Sequence, residues 1–374
     1  MTRLFSSSTS AKRQALRRSF ARGGIPGAMS SPPTVSAMSQ TSAITGTIIS
    51  PVTSPSSFAF AGGSWAVAGA TYPNSILYRA TVFTTSSGVT GGLAAIVEYY
   101  TDASAFEIYI KGSSYRVLVD GQYVSLSPSA APNDGNLYYE KYDFGSRKPS
   151  GRKITIEGQV SFGGIKVANT DKVWAAGDGD APRLIVLGDS ITEGNYGSGT
   201  TYYGAGFANV LGRALGIRDT WASGVGGTGY INTVSGTKYN FGQRVAADVI
   251  ARSPDIVLVA GGINDAGSTQ AAIQAAASSL FDTIRAGLPN ALVAVAGPFA
   301  PTSGFNTYGP TVACRDAIQA AVGTRADFLF IDNIAEKWMV NEAIYTSGDN
   351  THPTILGHEM YAGCFANAIR GWSF

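Results

Sequence analysis

Four short blocks of the chain hold the residue types that acyl transfer needs. The first, Val186-Leu-Gly-Asp-Ser190-Ile-Thr-Glu-Gly194, offers a hydroxyl between glycines. The last, Asp349-Asn-Thr-His352-Pro353, offers an imidazole with a carboxylate three residues before it. A serine is a poor nucleophile without a base beside it, and the chain has only two histidines, His352 and His358. Asp349 can hold one ring nitrogen of His352 so that the other faces a serine. His358 falls inside the final helical region and reads as a structural histidine.

Two further blocks supply donors for a developing oxyanion. Ala222-Ser-Gly224-Val-Gly226-Gly227-Thr-Gly229-Tyr230 can aim backbone N–H groups at one point, and the amide of Asn264 in Gly261-Gly-Ile-Asn264-Asp265 can join them. Each has a plainer reading: an Asn-Asp pair is often a turn or a helix cap. The glycine run also fits G-x-G-x-x-G, the dinucleotide-binding pattern, with Asp248 about 20 residues on. That pattern should open directly into a helix, whereas Tyr230 to Tyr239 is polar, carries Gly236 and reads as a loop. No G-x-S-x-G elbow is present, which counts against the α/β-hydrolase fold.

The elements that must position these blocks change character along the chain. Residues 1–57 are rich in Ser, Thr, Ala and Pro and read as a flexible basic arm or linker, with a short helix near Arg13–Phe20. Residues 58–177 alternate short apolar and polar runs: Ser75–Phe83, Leu93–Tyr100, Phe106–Ile110, Tyr115–Val119, Leu137–Tyr142 and Lys153–Glu157. Turn residues separate them, at Lys111-Gly112, Asp120-Gly121 and Asn133-Asp-Gly135. This predicts an all-β sandwich, jelly-roll-like, of about 120 residues. Residues 178–374 alternate strand-like runs (Arg183–Leu187, Asp255–Val259, Ala291–Val295, Phe328–Ile331) with helical spacing over Gly206–Leu215, Thr269–Leu288 and Ile355–Ile369. That alternation predicts an α/β domain, a parallel sheet in three layers, whose ligand crevice lies at the carboxyl ends of the strands. The blocks fall at such ends or in the loop before the last helix.

The four blocks, in this order, resemble the SGNH (GDSL) hydrolase family over roughly residues 183–370. The resemblance implies a flavodoxin-like SGNH domain and a serine esterase with Ser190 as nucleophile and His352 and Asp349 completing a triad. It also implies an oxyanion hole of Ser190, Gly226 and Asn264. Gly226 fits the glycine, any residue, Ser/Thr pattern, with Gly224 and Gly227 left open. No metal or organic cofactor is implied. The β-sandwich placed ahead of this domain is similar to the two-domain carbohydrate esterases, which implies an acetylated carbohydrate as substrate. A lipid or polyester esterase is the near alternative. A glycan-binding virion or surface attachment protein, associating through residues 1–57, is the alternative from another class.

Composition narrows the rest. Hydrophobic residues make up 44% of 374 and charged residues 14%, enough apolar side chain for a large core in each of two domains. Six basic residues and no acid lie within residues 1–25, leaving 21 basic against 25 acidic elsewhere, a near-neutral body unlike a nucleic-acid binder. No run approaches the roughly 20 apolar residues of a membrane span, and none follows the basic N-terminus as a secretory signal requires. Cys314 and Cys364 are as open to being free buried thiols as to pairing. Tyr99, Tyr100, Tyr138 and Tyr139 are candidates for stacking on sugars, though strand aromatics more often fill a core.

Overall fold

The structure, a computed structural model, describes residues 9–67, 78–81, 94–132, 134–176, 181–196, 203–234, 237–299, 303–323, 325–338 and 343–372. Five parallel strands form the C-terminal sheet, in the order Asp219–Gly224, Arg183–Gly188, Ile256–Ala260, Leu292–Ala296 and Phe328–Ile331. The order reverses between the first strand in sequence, Arg183–Gly188, and its two neighbours. Such a reversal leaves a crevice beyond the strands' carboxyl ends, because the two connections depart to opposite sides. Strand residues Leu184–Leu187 and Ile256–Ala260 are buried on both faces, as a sheet covered on both sides demands. Helices Phe207–Ala214 and Ile355–Arg370 pack together, and helices Phe241–Asp248, Gln270–Gly287 and Gly309–Val322 form a second group; both contribute to the same apolar core.

The edge strand Asp219–Gly224 is not among the strands the apolar pattern predicts. Only Trp221 and Ala222 mark it. Its buried Thr220 and Ser223 are tolerated because their hydroxyls are satisfied, by the Ile217 carbonyl at 3.0 Å and Asp248 at 3.0 Å.

The N-terminal region is one large antiparallel sheet built around two long strands, Ala105–Val119 and Arg152–Ala168. They pair from Ile154–Val119 to Lys166–Glu107. Lys111-Gly112, predicted as a turn, lies inside the first of them. The pairing register shifts between Gln159 and Val160, so one extra residue is absorbed as a bulge and the strand runs on. Core-facing positions accordingly change parity, from Phe106, Ile108 and Ile110 to Tyr115, Val117 and Val119. Asp120-Gly121 does form the expected two-residue hairpin turn, with φ of 49° and 87°, and Val119 pairs with Gln122. Of the predicted strand Ser75–Phe83, Tyr78–Thr81 is a strand and the remainder lies outside the described residues.

Residues 9–57 differ from the expected flexible arm. Thr9–Arg22 is a helix that buries Leu16 and rests Phe20 on the core of the parallel-sheet domain. Thr34–Val35 pairs with Tyr142–Asp143, and Gly46–Ile49 pairs with Ile165–Ala168. Strands this short satisfy sheet edges through backbone hydrogen bonds, which leave no mark in an apolar pattern.

The outward face of the antiparallel sheet meets the parallel-sheet domain through charge rather than oil. Arg116, Glu98 and Glu157 are all buried there. Arg213 donates to Glu157 at 2.6 Å, Arg218 pairs with Glu98 at 2.5 Å, and Arg116 donates to the Gly204 carbonyl at 2.7 Å.

Candidate active site

Gly188 ends the first parallel strand, and Asp189 caps the one-turn helix Ser190–Glu193 by accepting from the Ile191 N–H at 3.0 Å. Ser190 therefore stands at the crevice where strand order reverses. Burial pushes the Asp189 carboxyl up to about 7, against the pull of the Ile191 N–H.

The His352 ring bridges the two other predicted residues. Its Nε2 lies 2.8 Å from Ser190 Oγ and its Nδ1 lies 2.6 Å from Asp349 Oδ2. The loop that carries them is tightly knotted. Asp349 Oδ1 accepts from the Ser347 hydroxyl at 2.7 Å, the Thr351 N–H at 3.0 Å and the His352 N–H at 2.9 Å. Partial burial pushes the Asp349 carboxyl up, but these bonds and the His352 ring more than offset it, leaving it below the usual carboxylate range. An anionic Asp349 favours the tautomer with a proton on Nδ1, which leaves Nε2 as an acceptor for the serine proton.

Gly226 also lies at Ser190: a Cβ added there would stand 3.4 Å from Ser190 Cβ. Its N–H, however, donates to Glu193 Oε2 at 2.9 Å. Asn264 follows the strand Ile256–Ala260 on a short 3-10 turn, and its amide donates to the Thr228 carbonyl at 2.9 Å. Among the described residues after Gly229 no helix begins before Phe241, so the glycine run does not open directly into the helix that a dinucleotide fingerprint requires.

Several residues that hold this arrangement carry no sequence signal of their own. Asp265, buried, accepts from three successive backbone N–H groups, Tyr230 at 2.7 Å, Ile231 at 3.0 Å and Asn232 at 2.8 Å, and so shapes the loop after Gly226. Gly229 makes room for it, since a Cβ there would meet the carboxylate at 2.1 Å. Arg244, wholly buried, donates to the Ser223 carbonyl at 2.8 Å and to the Gly188 carbonyl, tying together the ends of two strands that lead into the site. Glu193 is the exception, because it sits one helical turn after Ser190 and so shares its face. His358 is buried. It accepts from the Phe207 N–H at 3.2 Å and its Nε2 lies 3.0 Å from the Asn195 carbonyl.

The remaining predicted residues sort simply. Cys314 and Cys364 are free thiols. Tyr99 is buried in the core of the antiparallel sheet. Tyr100 stacks on the exposed Trp174 at 5.7 Å, Tyr139 stacks on Tyr109 at 4.4 Å, and the Tyr138 hydroxyl donates to Asp134 at 2.6 Å. Among the described residues no helix is long and apolar enough to cross a membrane, and no cluster of three or more His, Cys, Asp or Glu side chains is poised to hold a metal ion.

A five-stranded parallel α/β domain with a serine, histidine and aspartate in hydrogen-bonded series at its switch point defines an ester hydrolase of the SGNH type. Residues 186–360 match the model of the GDSL-like lipase/acylhydrolase family. The GDSL lipase Rv0518 of Mycobacterium tuberculosis is 30% identical over 194 residues, which span 50% of this chain and 80% of that one. The chain belongs to the GDSL-like lipase/acylhydrolase family. Solved structures share the whole two-part architecture. A family two carbohydrate esterase from Clostridium thermocellum, solved in complex with cellohexaose, aligns with a TM-score of 0.60 and 17% identity, covering 84% of this chain and 98% of that one. One from Cellvibrio japonicus aligns at 0.60 and 15%, covering 87% and 97%. The salicylyl-acyltransferase SsfX3 aligns at 0.63 and 15%, covering 87% and 96%.

Proposed function

We propose that the protein removes O-acetyl groups from a carbohydrate, with Ser190 as nucleophile, His352 as general base and Asp349 as the residue that holds the imidazole. The reading rests on one observation: the Ser190 Oγ, His352 and Asp349 hydrogen-bonded series, at 2.8 Å and 2.6 Å. In this reading His352 takes the proton as Ser190 Oγ attacks the ester carbonyl, then returns it to the departing alcohol. The acyl group passes to Ser190, and water, activated by the same imidazole, releases the acid. The N–H groups of Ser190 and Gly226 and the Asn264 amide hold the oxyanion, where a single lost donor costs about 3–4 kcal/mol of barrier. Residues 178–374 carry the chemistry, and residues 58–177 are an accessory unit.

The carbohydrate substrate is supported by the two-part likeness to carbohydrate esterases, one of them solved with a cello-oligosaccharide. The lipase relative favours a second reading, a longer acyl chain on a lipid or polyester. Attachment to a particle through residues 1–57 loses ground, since residues 9–57 pack on the chain's own two domains.

The test is hydrolysis of p-nitrophenyl acetate, butyrate and octanoate by the wild type and by Ser190→Ala, with release of acetate from acetylated oligosaccharides. Preference for acetate, lost in the variant, is the expected outcome. Preference for octanoate moves the reading to lipids or polyesters. Folded protein inert on every ester removes the catalytic reading altogether.

A further inference from the structure

We propose that Glu193 is a built-in competitor for the Gly226 N–H: its carboxylate fills the oxyanion position beside Ser190 in the resting protein, and the ester carbonyl must displace it. The proposal rests on the reading of Ser190 as nucleophile and Gly226 as oxyanion donor.

Three observations carry it. Glu193 closes the one-turn helix that Ser190 opens, so its side chain returns over the serine's side of the turn. Its Oε2 accepts from the Gly226 N–H at 2.9 Å. A single point, the Cβ position of Gly226, lies 3.0 Å from that oxygen, 3.4 Å from Ser190 Cβ and 3.7 Å from Lys238 Nζ. Carboxylate, donor and nucleophile residue thus all border the backbone of Gly226. Lys238 also donates to the Gly226 carbonyl at 3.1 Å, so a displaced carboxylate has a cation within reach.

Chemistry decides the sense of the effect. A carboxylate is a stronger acceptor than the neutral carbonyl of an ester, because its bonds are charge-assisted. The ground-state ester therefore competes poorly for Gly226. The tetrahedral oxyanion, which carries full charge, competes well, so the donor is delivered mainly in the transition state. A substrate held by contacts elsewhere on the molecule can supply more of the free energy of displacement than a small free ester, which therefore turns over more slowly. Burial also pushes the Glu193 carboxyl up, opposed by the Gly226 N–H and by the charges of Lys238 and Arg244, as for a side chain held in the site and not solvated outside it.

Glu193→Ala and Glu193→Gln decide the matter through kcat/KM on p-nitrophenyl acetate and affinity for phenylboronic acid, which adds to a serine as a tetrahedral anion. Removing the competitor should raise both, by about tenfold or more for Ala, the size of one charge-assisted hydrogen bond, and by less for Gln, which still accepts but carries no charge. A residue that only positions the loop would lose activity in both variants. Unchanged or lower values in Glu193→Ala overturn the proposal; if that variant does not fold, the rise or fall in Glu193→Gln decides alone. Labelling with a fluorophosphonate separates the two readings. A wild type that neither labels at Ser190 nor hydrolyses esters sinks the serine esterase itself. A wild type that does both, with no faster variant, sinks only the competitor.

Discussion

At the scale of single residues, the catalytic reading depends on which ring nitrogen of His352 carries the proton. Asp349 accepts at Nδ1, and its second oxygen is already engaged by Ser347, Thr351 and the His352 backbone. Asp349→Asn would keep the shape of the loop and present an N–H to Nδ1. The proton would then sit on Nε2 and face Ser190 with a donor, so kcat on p-nitrophenyl acetate should fall by about 10³- to 10⁴-fold with a nearly unchanged melting temperature. A fall under tenfold would show that Asp349 does not set the tautomer. Ser190, Asp349 and His352 could be picked out because the chain has only two histidines, one of them preceded by an aspartate at the right spacing, and because Ser190 follows a strand-like apolar run. Glu193 was legible only as part of a block. Its bond to Gly226 joins a side chain to a backbone N–H 33 positions away, and spacing in sequence says nothing of such a pair.

At the scale of elements, the apolar period found the buried strands Arg183–Gly188, Ile256–Ala260 and Leu292–Ala296 and missed Asp219–Gly224, whose polar side chains are paid for by hydrogen bonds. His358 performs the same service between elements. It joins the final helix to the start of Phe207–Ala214 and to the segment just after the Ser190 helix. One ring nitrogen accepts and the other donates, so only the neutral ring fits, and burial lowers its pKa to about 4. Unfolded, the ring takes up a proton near pH 6.5. Between about 6.5 and 4 the unfolded chain binds the proton that the folded chain refuses, so this contribution to stability falls as pH falls, by about 2–3 kcal/mol in all. Asp189, raised to about 7, acts in the opposite sense and blunts the raw curve. The clean comparison is His358→Gln, which keeps one donor and one acceptor without a titration. Urea unfolding at pH 7 and pH 4 should show the wild type losing about 2–3 kcal/mol relative to the variant. A pH-independent difference would mean that the ring takes its proton in the folded state.

At the scale of the molecule, the division into two units was plain from the change in periodicity, but the seam between them was not. Nothing in the alternation of residues 58–177 distinguishes a face turned to water from one turned to a second domain, and Glu98, Arg116 and Glu157 would serve on either. Here they are buried against Arg213 and Arg218 of the parallel-sheet domain, and Glu157 answers Arg116, Arg213 and the Tyr123 hydroxyl at once. A buried ion pair adds little over a well-packed apolar contact, but a buried charge left without its partner is costly. Glu157→Ala would take the carboxylate from Arg213 and leave Arg116 with the Gly204 carbonyl, the Tyr123 hydroxyl and the more distant Glu359, and should lower the unfolding free energy by about 3–5 kcal/mol. Tryptophans stand in both units, Trp65 and Trp174 in one and Trp221, Trp338 and Trp372 in the other, so each set can be followed by fluorescence after removing the other. In the wild type both sets should report one urea transition, because neither unit can leave without exposing the other's charges in the seam. In Glu157→Ala the two transitions should move to lower urea and part. If they stay superimposed and shift by less than about 1 kcal/mol, water has taken Glu157's place, and the cohesion of the seam does not rest on this carboxylate.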